Sequence, residues 1–280
     1  MPGSIESSDG SYPAPSVRSD TVGLEPGGTA VILTLDAPST LNAIDAEMLQ
    51  LLDDALDDVG RDPDVRTLLI TGAGRAFSAG GDLKRYLTLQ RDAAAFPRFV
   101  AELHRVFSRL RTIAVPVVAV VNGVTAAGGL ELMLSCDLAF AARSAPVRDG
   151  HQNFGQMGGG GVLTLLPRVV GIQRAAELIF TGRALQGAEL VEWGLVNRVL
   201  DDEELMPAAL AFAEEVARKS PLAIATAKQV MNSIWSHRMS VPVGLQLELE
   251  RDAYYCLTSH DAPEGLVAFS DKRAPRFLGR

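Results

Sequence analysis

One carboxylate, Glu131, lies in an apolar segment two residues after the glycine pair Gly128-Gly129. The stretch from Val115 to Cys136 reads VPVVAVVNGVTAAGGLELMLSC, so an apolar run passes through an Asn-Gly turn before it reaches Gly128, Gly129 and Glu131. The amides in the first turn of a helix have no intrahelical partner and point at whatever lies there. A carboxylate beside such donors can move a proton next to a bound oxyanion. The pattern indicates an acyl-transfer or enolate site.

The same stretch must also be assigned to structural elements. Its apolar length approaches the roughly 20 residues of a membrane span, but Pro116, Asn122 and the glycines interrupt it with groups that lipid cannot satisfy. A buried parallel strand over 115–121, followed by a turn and a helix, fits better because such strands are continuously hydrophobic. Glu131 on that helix faces either solvent or the interior, and its apolar neighbours favour the interior.

Two further pairs of glycines, Gly72 with Gly74 and Gly80 with Gly81, follow another predicted strand. Val65 to Thr71 reads VRTLLIT, a buried strand, and Gly72 and Gly74 come directly after it. A dinucleotide-binding loop would need its third glycine at Phe77, which argues against that function. The pair Gly80-Gly81 is predicted at the start of a helix, where free amides suit an oxyanion. Gly81 and Gly128 would then supply two donors for a thioester enolate, although both could be simple turn residues.

Together these motifs resemble those of the enoyl-CoA hydratase and isomerase family, also called crotonases. The matching pieces occur in family order from about residue 22 to the C-terminus. They are AVILTL with Pro38 and Asn42-Ala43, AFSAGGDL from Ala76, PVVAVVNG from Pro116, AGGLEL from Ala127, Cys136-Asp137, LPRVVG from Leu166, LIFTGR from Leu178, WGLVN from Trp193, and Lys272-Arg273 ahead of Phe277.

The resemblance implies roles for particular residues. The two oxyanion-hole amides correspond to Gly81 and Gly128, and the first catalytic glutamate corresponds to Glu131. The carbonyl that meets the adenine of coenzyme A matches Ala79. The CoA-binding stretch continues through 82–84, formed by Asp82, Leu83 and Lys84, with Lys84 able to approach the CoA phosphates. Coenzyme A is expected as part of the substrate, with no separate cofactor and no metal.

The sequence departs from the family at the second catalytic position. Hydratases of the family read approximately Phe-Gly-x-Pro-Glu there, whereas this chain has Val147-Arg148-Asp149-Gly150-His151. An ungapped count from the Leu166 motif places His151 where the second glutamate belongs. Its imidazole, with an ordinary pKa of about 6.5, can act as acid or base beside Glu131, and Asp149 can orient it if both lie on one strand face. Alternatively, His151 is a loop histidine in solvent.

Composition restricts the partners. The chain has 280 residues, 47% of them hydrophobic, and a net charge of -8; its pI is near 5.1 and its mean hydropathy +0.14. An acidic surface argues against nucleic acid. Two distant cysteines give no disulfide framework or metal-ligand spacing and suit a cytoplasmic protein. No membrane association is expected.

The predicted architecture is α/β, a crotonase-like spiral of ββα units with a C-terminal helical subdomain. Residues 1–20 are rich in Ser, Gly and Pro and are expected to form a disordered tail; 21–215 form the spiral core with the CoA-ester pocket, and 216–280 the helical oligomerisation subdomain. The resemblance implies a homotrimer or a dimer of trimers. Strands are predicted over 22–24 and 30–35, and helices over 45–59, around Phe99 to Leu110, and over 208–218, 223–235 and 243–257.

Two classes of function remain open at this stage. In the first, the chain is an enzyme acting on an acyl-CoA thioester, as a 2-enoyl-CoA hydratase, or as an isomerase, decarboxylase or hydrolase with one proton donor fewer. In the second, it is a catalytically idle CoA-binding trimer. The retained Glu131 favours an enzyme, because burying a carboxylate costs several kcal/mol that a binding module need not spend.

Overall fold

From residue 65 to residue 148 the strands alternate between two sheets along the chain. The computed structural model describes residues 14–280. The strands are β1 Ser16–Gly23, β2 Thr29–Asp36, β3 Val65–Gly72, β4 Ala76–Ser78, β5 Val117–Val121, β6 Val124–Ala126, β7 Leu138–Ala142, β8 Val147–Arg148, β9 Ala184–Leu185 and β10 Arg198–Leu200. The helices are α1 Ala46–Arg61, α2 Leu83–Leu89, α3 Ala95–Thr112, α4 Gly128–Ser135, α5 Val162–Val170, α6 Ile172–Thr181, α7 Ala188–Glu192, α8 Leu205–Ala217, α9 Pro221–His237, α10 Val241–Thr258 and α11 Asp261–Ser270.

The order of the strands repeats one unit. The larger sheet has the order β1-β2-β3-β5-β7-β10 and the smaller one β4-β6-β8-β9. The repeated unit is a pair of consecutive strands followed by helices. In each pair the first strand joins the large sheet and the second joins the small sheet; the pairs are β3 with β4, β5 with β6, and β7 with β8. Within each sheet these strands pair in parallel with their counterparts from the next unit.

The apolar stripes predicted on two helices pack in the core. In α3, Phe99, Leu103 and Leu110 are buried as predicted, because residues three and four apart share one helix face. In α1, Asp45 caps the first turn by accepting a hydrogen bond from Met48 N at 2.9 Å. The helix runs through Gly60 to Arg61, two residues beyond the predicted end at residue 59.

The chain's first described strand begins earlier than predicted. Strand β1 covers Ser16–Gly23 and pairs antiparallel with β2 along its whole length, so the prediction of a disordered tail is wrong for 16–20. Residues 1–13 of that predicted tail lie outside the described residues. Most β1 side chains are exposed, so the strand is held by backbone hydrogen bonds at a sheet edge and carries no apolar alternation that a sequence could reveal.

Four helices close the chain. Helices α8, α9 and α10 match the three predicted segments, and α11 was not predicted. Helix α8 packs on β3, β5 and β7, so the predicted boundary between 215 and 216 lies inside a core helix. Helix α8 ends at Ala217, and Ser220 caps the start of α9. No helix within 14–280 is both long and apolar enough to cross a bilayer.

Candidate active site

Three neighbouring parallel strands of the small sheet end at one place. Strand β6 pairs in parallel with β4 on one side and with β8 on the other, so the residues that follow them meet at the same edge. Gly81 follows β4, Gly128 follows β6, and His151 follows β8. Crevices at the carboxyl ends of parallel strands are where ligands bind in such sheets. The topology brings together the three positions that the sequence singled out.

The two glycine turns lie against each other. A Cβ built on Gly128 would lie 3.4 Å from Gly80 Cα and 3.8 Å from Gly81 N, and one on Gly80 would lie 2.8 Å from Gly128 N. Gly80 has φ +90° and Ala127 has φ +49°, which is strained for alanine. Among residues 14–280, neither the Gly81 nor the Gly128 amide donates to a protein acceptor. Both amides are therefore free to bind a ligand oxygen.

The two turns differ in their relation to the helices that follow. Gly128 is the first residue of α4, as predicted. Gly81 is not at the start of a helix, because Asp82 intervenes as the cap of α2 and accepts hydrogen bonds from Lys84 N and Arg85 N. The expectation that Gly80-Gly81 opens a helix is wrong, since the Asp82 carboxylate takes the donors of that first turn.

Glu131 is buried and its carboxylate is held from across the site. Oε1 accepts hydrogen bonds from Gly160 N at 2.8 Å and Val162 N at 3.1 Å. Burial raises the pKa of Glu131 above its usual range, against the opposing effects of the His151 charge and the two amides. No motif indicated these two donors, because they lie 29 and 31 residues further along the chain than Glu131.

His151 lies on the cavity wall beside a buried partner. Its Nδ1 is 2.7 Å from Asp149 Oδ1, and the side chain of His151 is 14% exposed. Burial acts to lower the pKa of His151, but the bond to Asp149 and the charge of Glu131 outweigh it, so the pKa stands above its ordinary value. The predicted strand geometry is wrong: β8 ends at Arg148, and Gly150, with φ +72°, turns the chain so that His151 opens a short 3-10 helix.

A cavity of about 650 Å³ connects these groups. Gly81, Gly128, Glu131 and His151 all contribute to its wall. Its apolar side carries an aromatic cluster in which the Tyr86 ring meets Phe96 and Phe99 edge to face, with centroids 5.5 and 5.7 Å away. The volume falls in the range of pockets that hold small organic ligands.

Tyr86 lines the cavity beside the Gly81 turn. A Cβ on Gly81 would lie 3.2 Å from its ring, so the ring covers that turn. Burial and the negative charge of Glu131 raise the pKa of Tyr86, which keeps the phenol protonated at neutral pH.

The predicted CoA-binding stretch is divided by the fold. Ala79 and Leu83 line the cavity, and Ala79 N is engaged with Leu41 O at 2.9 Å. Asp82 caps α2 and lies beside Arg85. Lys84 lines a separate shallow depression on the outer side of α2, so the structure places it outside the main cavity.

A buried asparagine fixes the turn beneath the site. Asn42, fully buried with φ +55°, accepts a hydrogen bond from Ala37 N at 2.9 Å and donates to Ala73 O at 2.9 Å and Ala76 O at 2.8 Å. Ser78 Oγ in turn donates to Asn42 O at 2.8 Å. These bonds join the end of β2 to β4, the strand that carries Gly81. Across 14–280, no cluster of three His, Cys, Asp or Glu side chains is arranged to hold a metal ion.

Comparison with known proteins identifies the family. The enoyl-CoA hydratase/isomerase family model matches residues 25–280. A "Probable enoyl-CoA hydratase" of Mycobacterium leprae is 33% identical over 264 residues, 94% of this chain and 100% of that protein. The 1,2-epoxyphenylacetyl-CoA isomerase of Escherichia coli is 38% identical over 255 residues, 89% of this chain and 94% of that protein.

Solved structures agree with the sequence relatives. An enoyl-CoA hydratase from Bacillus anthracis superposes with a TM-score of 0.87 at 30% identity, covering 95% of this chain and 100% of that one. The chain belongs to the enoyl-CoA hydratase/isomerase family and is an enzyme of that family. The predicted crotonase fold is confirmed.

Proposed function

We propose that the protein hydrates a 2-enoyl-CoA thioester to a 3-hydroxyacyl-CoA. The observation that carries this proposal is that two different acid-base groups, the Glu131 carboxylate and the His151 imidazole, line one cavity with two free backbone amides. Hydration needs a base for water, a proton donor for C2, and donors for the thioester oxygen. Coenzyme A enters as part of the substrate, and we propose no additional cofactor.

In this mechanism, the amides of Gly81 and Gly128 hold the thioester oxygen. Electron density moves onto that oxygen as the bond to C3 forms, and preorganised donors stabilise the developing enolate without having to reorient. The strained turn at Ala127 supports this role, because it leads directly into Gly128 and both residues line the cavity. Ala79 and Leu83 would contact the CoA portion, with Lys84 reaching the phosphates only from outside the cavity.

Glu131 acts as the base. Its Oε1 is held by Gly160 and Val162, which leaves Oε2 for water. The oxygen of that water adds to C3 while its proton passes to the carboxylate. The raised pKa of Glu131 strengthens it as a base, because proton acceptance is most effective when the pKa lies near the working pH.

His151 completes the addition by giving a proton to C2. The C2–C3 π bond breaks, and its electrons, held as the enolate, take up the Nε2 proton. The product gains one water, while Glu131 ends protonated and His151 neutral. Passing the proton from Glu131 to His151 through water restores the starting enzyme, so atoms and charges balance over the cycle.

An isomerase is the second candidate, favoured by the match to the enoyl-CoA hydratase/isomerase family model and by the 38% identity to the 1,2-epoxyphenylacetyl-CoA isomerase. Moving a double bond requires a group that removes a proton at one carbon and returns it at another, and either Glu131 or His151 could serve. No water would add. The same cavity and amides would be used, so the two reactions must be separated by their products.

A thioester panel with mass analysis tests the proposal. Straight-chain, branched and aromatic 2-enoyl- and 3-enoyl-CoA esters are incubated with purified enzyme in water labelled with heavy oxygen. Hydration predicts a product heavier by one labelled water; isomerisation predicts an unchanged mass with the double bond moved. Free coenzyme A would indicate hydrolysis, and no turnover of any ester would support the idle CoA-binding protein.

We also propose a homotrimer or a dimer of trimers in the cytoplasm. The C-terminal helices expose large apolar side chains, among them Leu249, Leu257, Leu266 and Phe269, and such patches mark protein interfaces. Cys136 and Cys256 are both free, which suits a reducing compartment. Light scattering on the purified protein gives the oligomeric mass; a monomeric mass would contradict the proposed assembly.

A further inference from the structure

Asp149 touches both halves of the site although it does not line the cavity itself. Its backbone oxygen accepts a hydrogen bond of 2.7 Å from Ala127 N, the residue before Gly128. Its side chain is 2.7 Å from His151 Nδ1. One residue therefore fastens the oxyanion turn through its main chain and the histidine through its carboxylate.

Within residues 14–280, His151 is the one group that forms an ion pair with Asp149. Asp149 is fully buried, and within the described part of the chain its Oδ2 is also buried and has no hydrogen-bond donor. A buried carboxylate is strongly unfavourable unless a positive partner offsets its charge. No arginine or lysine among residues 14–280 forms an ion pair with Asp149; the one partner is His151.

This arrangement fixes the state and orientation of the ring. With Nδ1–H donated to Asp149, the second nitrogen, Nε2, lies on the opposite side of the imidazole and faces away from the carboxylate. In the described part of the chain, Glu131 on α4 is the other charged group that acts on the ring. The loop before α5 lies beside the ring at Gly158, where an added Cβ would come within 3.2 Å of it, so a side chain at position 158 would crowd the imidazole.

We propose that Asp149 is a positioning residue that keeps His151 as an imidazolium with Nε2–H directed into the cavity. Asp149 itself touches no reacting atom. The Asp149 charge makes His151 the proton donor and Glu131 the proton acceptor. Without that charge, the proton could reside on either Glu131 or His151. This assignment rests on the proposed function for its catalytic consequence and on geometry alone for the state of the ring.

The state of the ring is measured in the wild-type enzyme without substrate. The chain has four histidines, and imidazole NMR signals are assigned to His151 by their loss in His151→Gln. We expect the His151 signal to titrate above the ordinary value of about 6.5. Asp149→Asn keeps an acceptor of similar shape but removes the charge, and should move that titration to lower pH.

Catalysis supplies the second readout. Asp149→Asn should lower kcat roughly 10-fold or more, up to the loss of about 100-fold expected when a general acid is removed altogether. KM should stay nearly unchanged, and the alkaline limb of the kcat profile should move to lower pH. Asp58→Asn removes a carboxylate at an exposed position of α1 and serves as the control, with both profiles unaltered.

The outcomes separate the two proposals. An ordinary His151 titration in the wild type, or one that Asp149→Asn leaves in place, overturns the positioning role, and the wild-type measurement stands even if the variant does not fold. A shifted titration with unchanged kcat overturns it as well. If the titration shifts as expected but no ester is turned over, the proposed function fails while the Asp149–His151 ion pair is supported.

Discussion

Gly160 and Glu131 are fitted to each other across the cavity. The Gly160 amide donates to Glu131 Oε1 at 2.8 Å, and a Cβ on Gly160 would lie only 2.4 Å from Oε2 of the same carboxylate. Gly160 therefore holds Oε1 through its amide, and a side chain at position 160 would collide with Oε2. The carboxylate and the amide approach this closely because position 160 is glycine.

Gly160→Ala should therefore displace Glu131 and lower kcat by about 100-fold, the loss associated with a misplacement of about 1 Å. Gly159→Ala is the matched control, because its Cβ would lie 3.3 Å from the end of the Val100 side chain, which can move. Steady-state kinetics on both variants make the comparison. Equal losses in the two would mean that the loop, not the carboxylate, is responsible.

Glu131→Gln tests the base directly. The amide side chain keeps the shape of the carboxylate and can still accept from Gly160 and Val162, but it cannot take a proton from water. Turnover should fall by about 100-fold or more. Affinity for a CoA ester, measured by calorimetry, should change little. Turnover equal to that of wild type would remove Glu131 from the mechanism.

The pH profile distinguishes the two acid-base groups. The active form needs Glu131 ionised and His151 protonated, so kcat should rise with pH through the first pKa and fall through the second, both of which are raised. His151→Ala should lose the alkaline limb. It should also move the acid limb to higher pH, because the His151 charge lowers the pKa of Glu131. An alkaline limb that persists in His151→Ala belongs to another group.

Motifs predicted the parts of the site that depend on neighbours in the chain. Gly128 and Glu131 lie three residues apart on one short helix, so their spacing alone places both on the same element. His151 was found by counting back from a motif, and the turn at Gly150 brings it to the cavity although β8 ends at Arg148 and does not reach it.

Contacts between segments that are distant along the chain could not be predicted from sequence patterns. The donors Gly160 and Val162 meet Glu131 through the return of the chain into α5, and glycine-rich loops carry no periodic signal. The N-terminal strand escaped prediction because it pairs through its backbone at an exposed edge. The cap formed by Asp82 was missed for a different reason: the glycine pair beside it offered an equally good helix start.

Removing the Asn42 side chain should destabilise the fold itself. Asn42→Ala leaves Ala37 N and the carbonyls of Ala73 and Ala76 without their buried partner, and the free energy of unfolding should fall by about 3 kcal/mol. Thr40→Ala, which loses one partly buried bond to Ala37 O, should cost less than about 1 kcal/mol. Urea unfolding measures both; losses of similar size would contradict the role assigned to Asn42.

The Gly128 amide can be tested with two substitutions at this position, because alanine keeps the N–H donor and proline removes it. Gly128 opens α4, and a Cβ there would make an ordinary contact of 3.4 Å with Gly80. Gly128→Ala keeps the amide and should remain active. Gly128→Pro deletes the donor at a helix position where proline is tolerated, and should lose about 3 kcal/mol of transition-state binding, roughly 100-fold in kcat/KM. Thermal unfolding shows whether both variants are folded; equal activity in two folded variants would assign the thioester oxygen to a different amide.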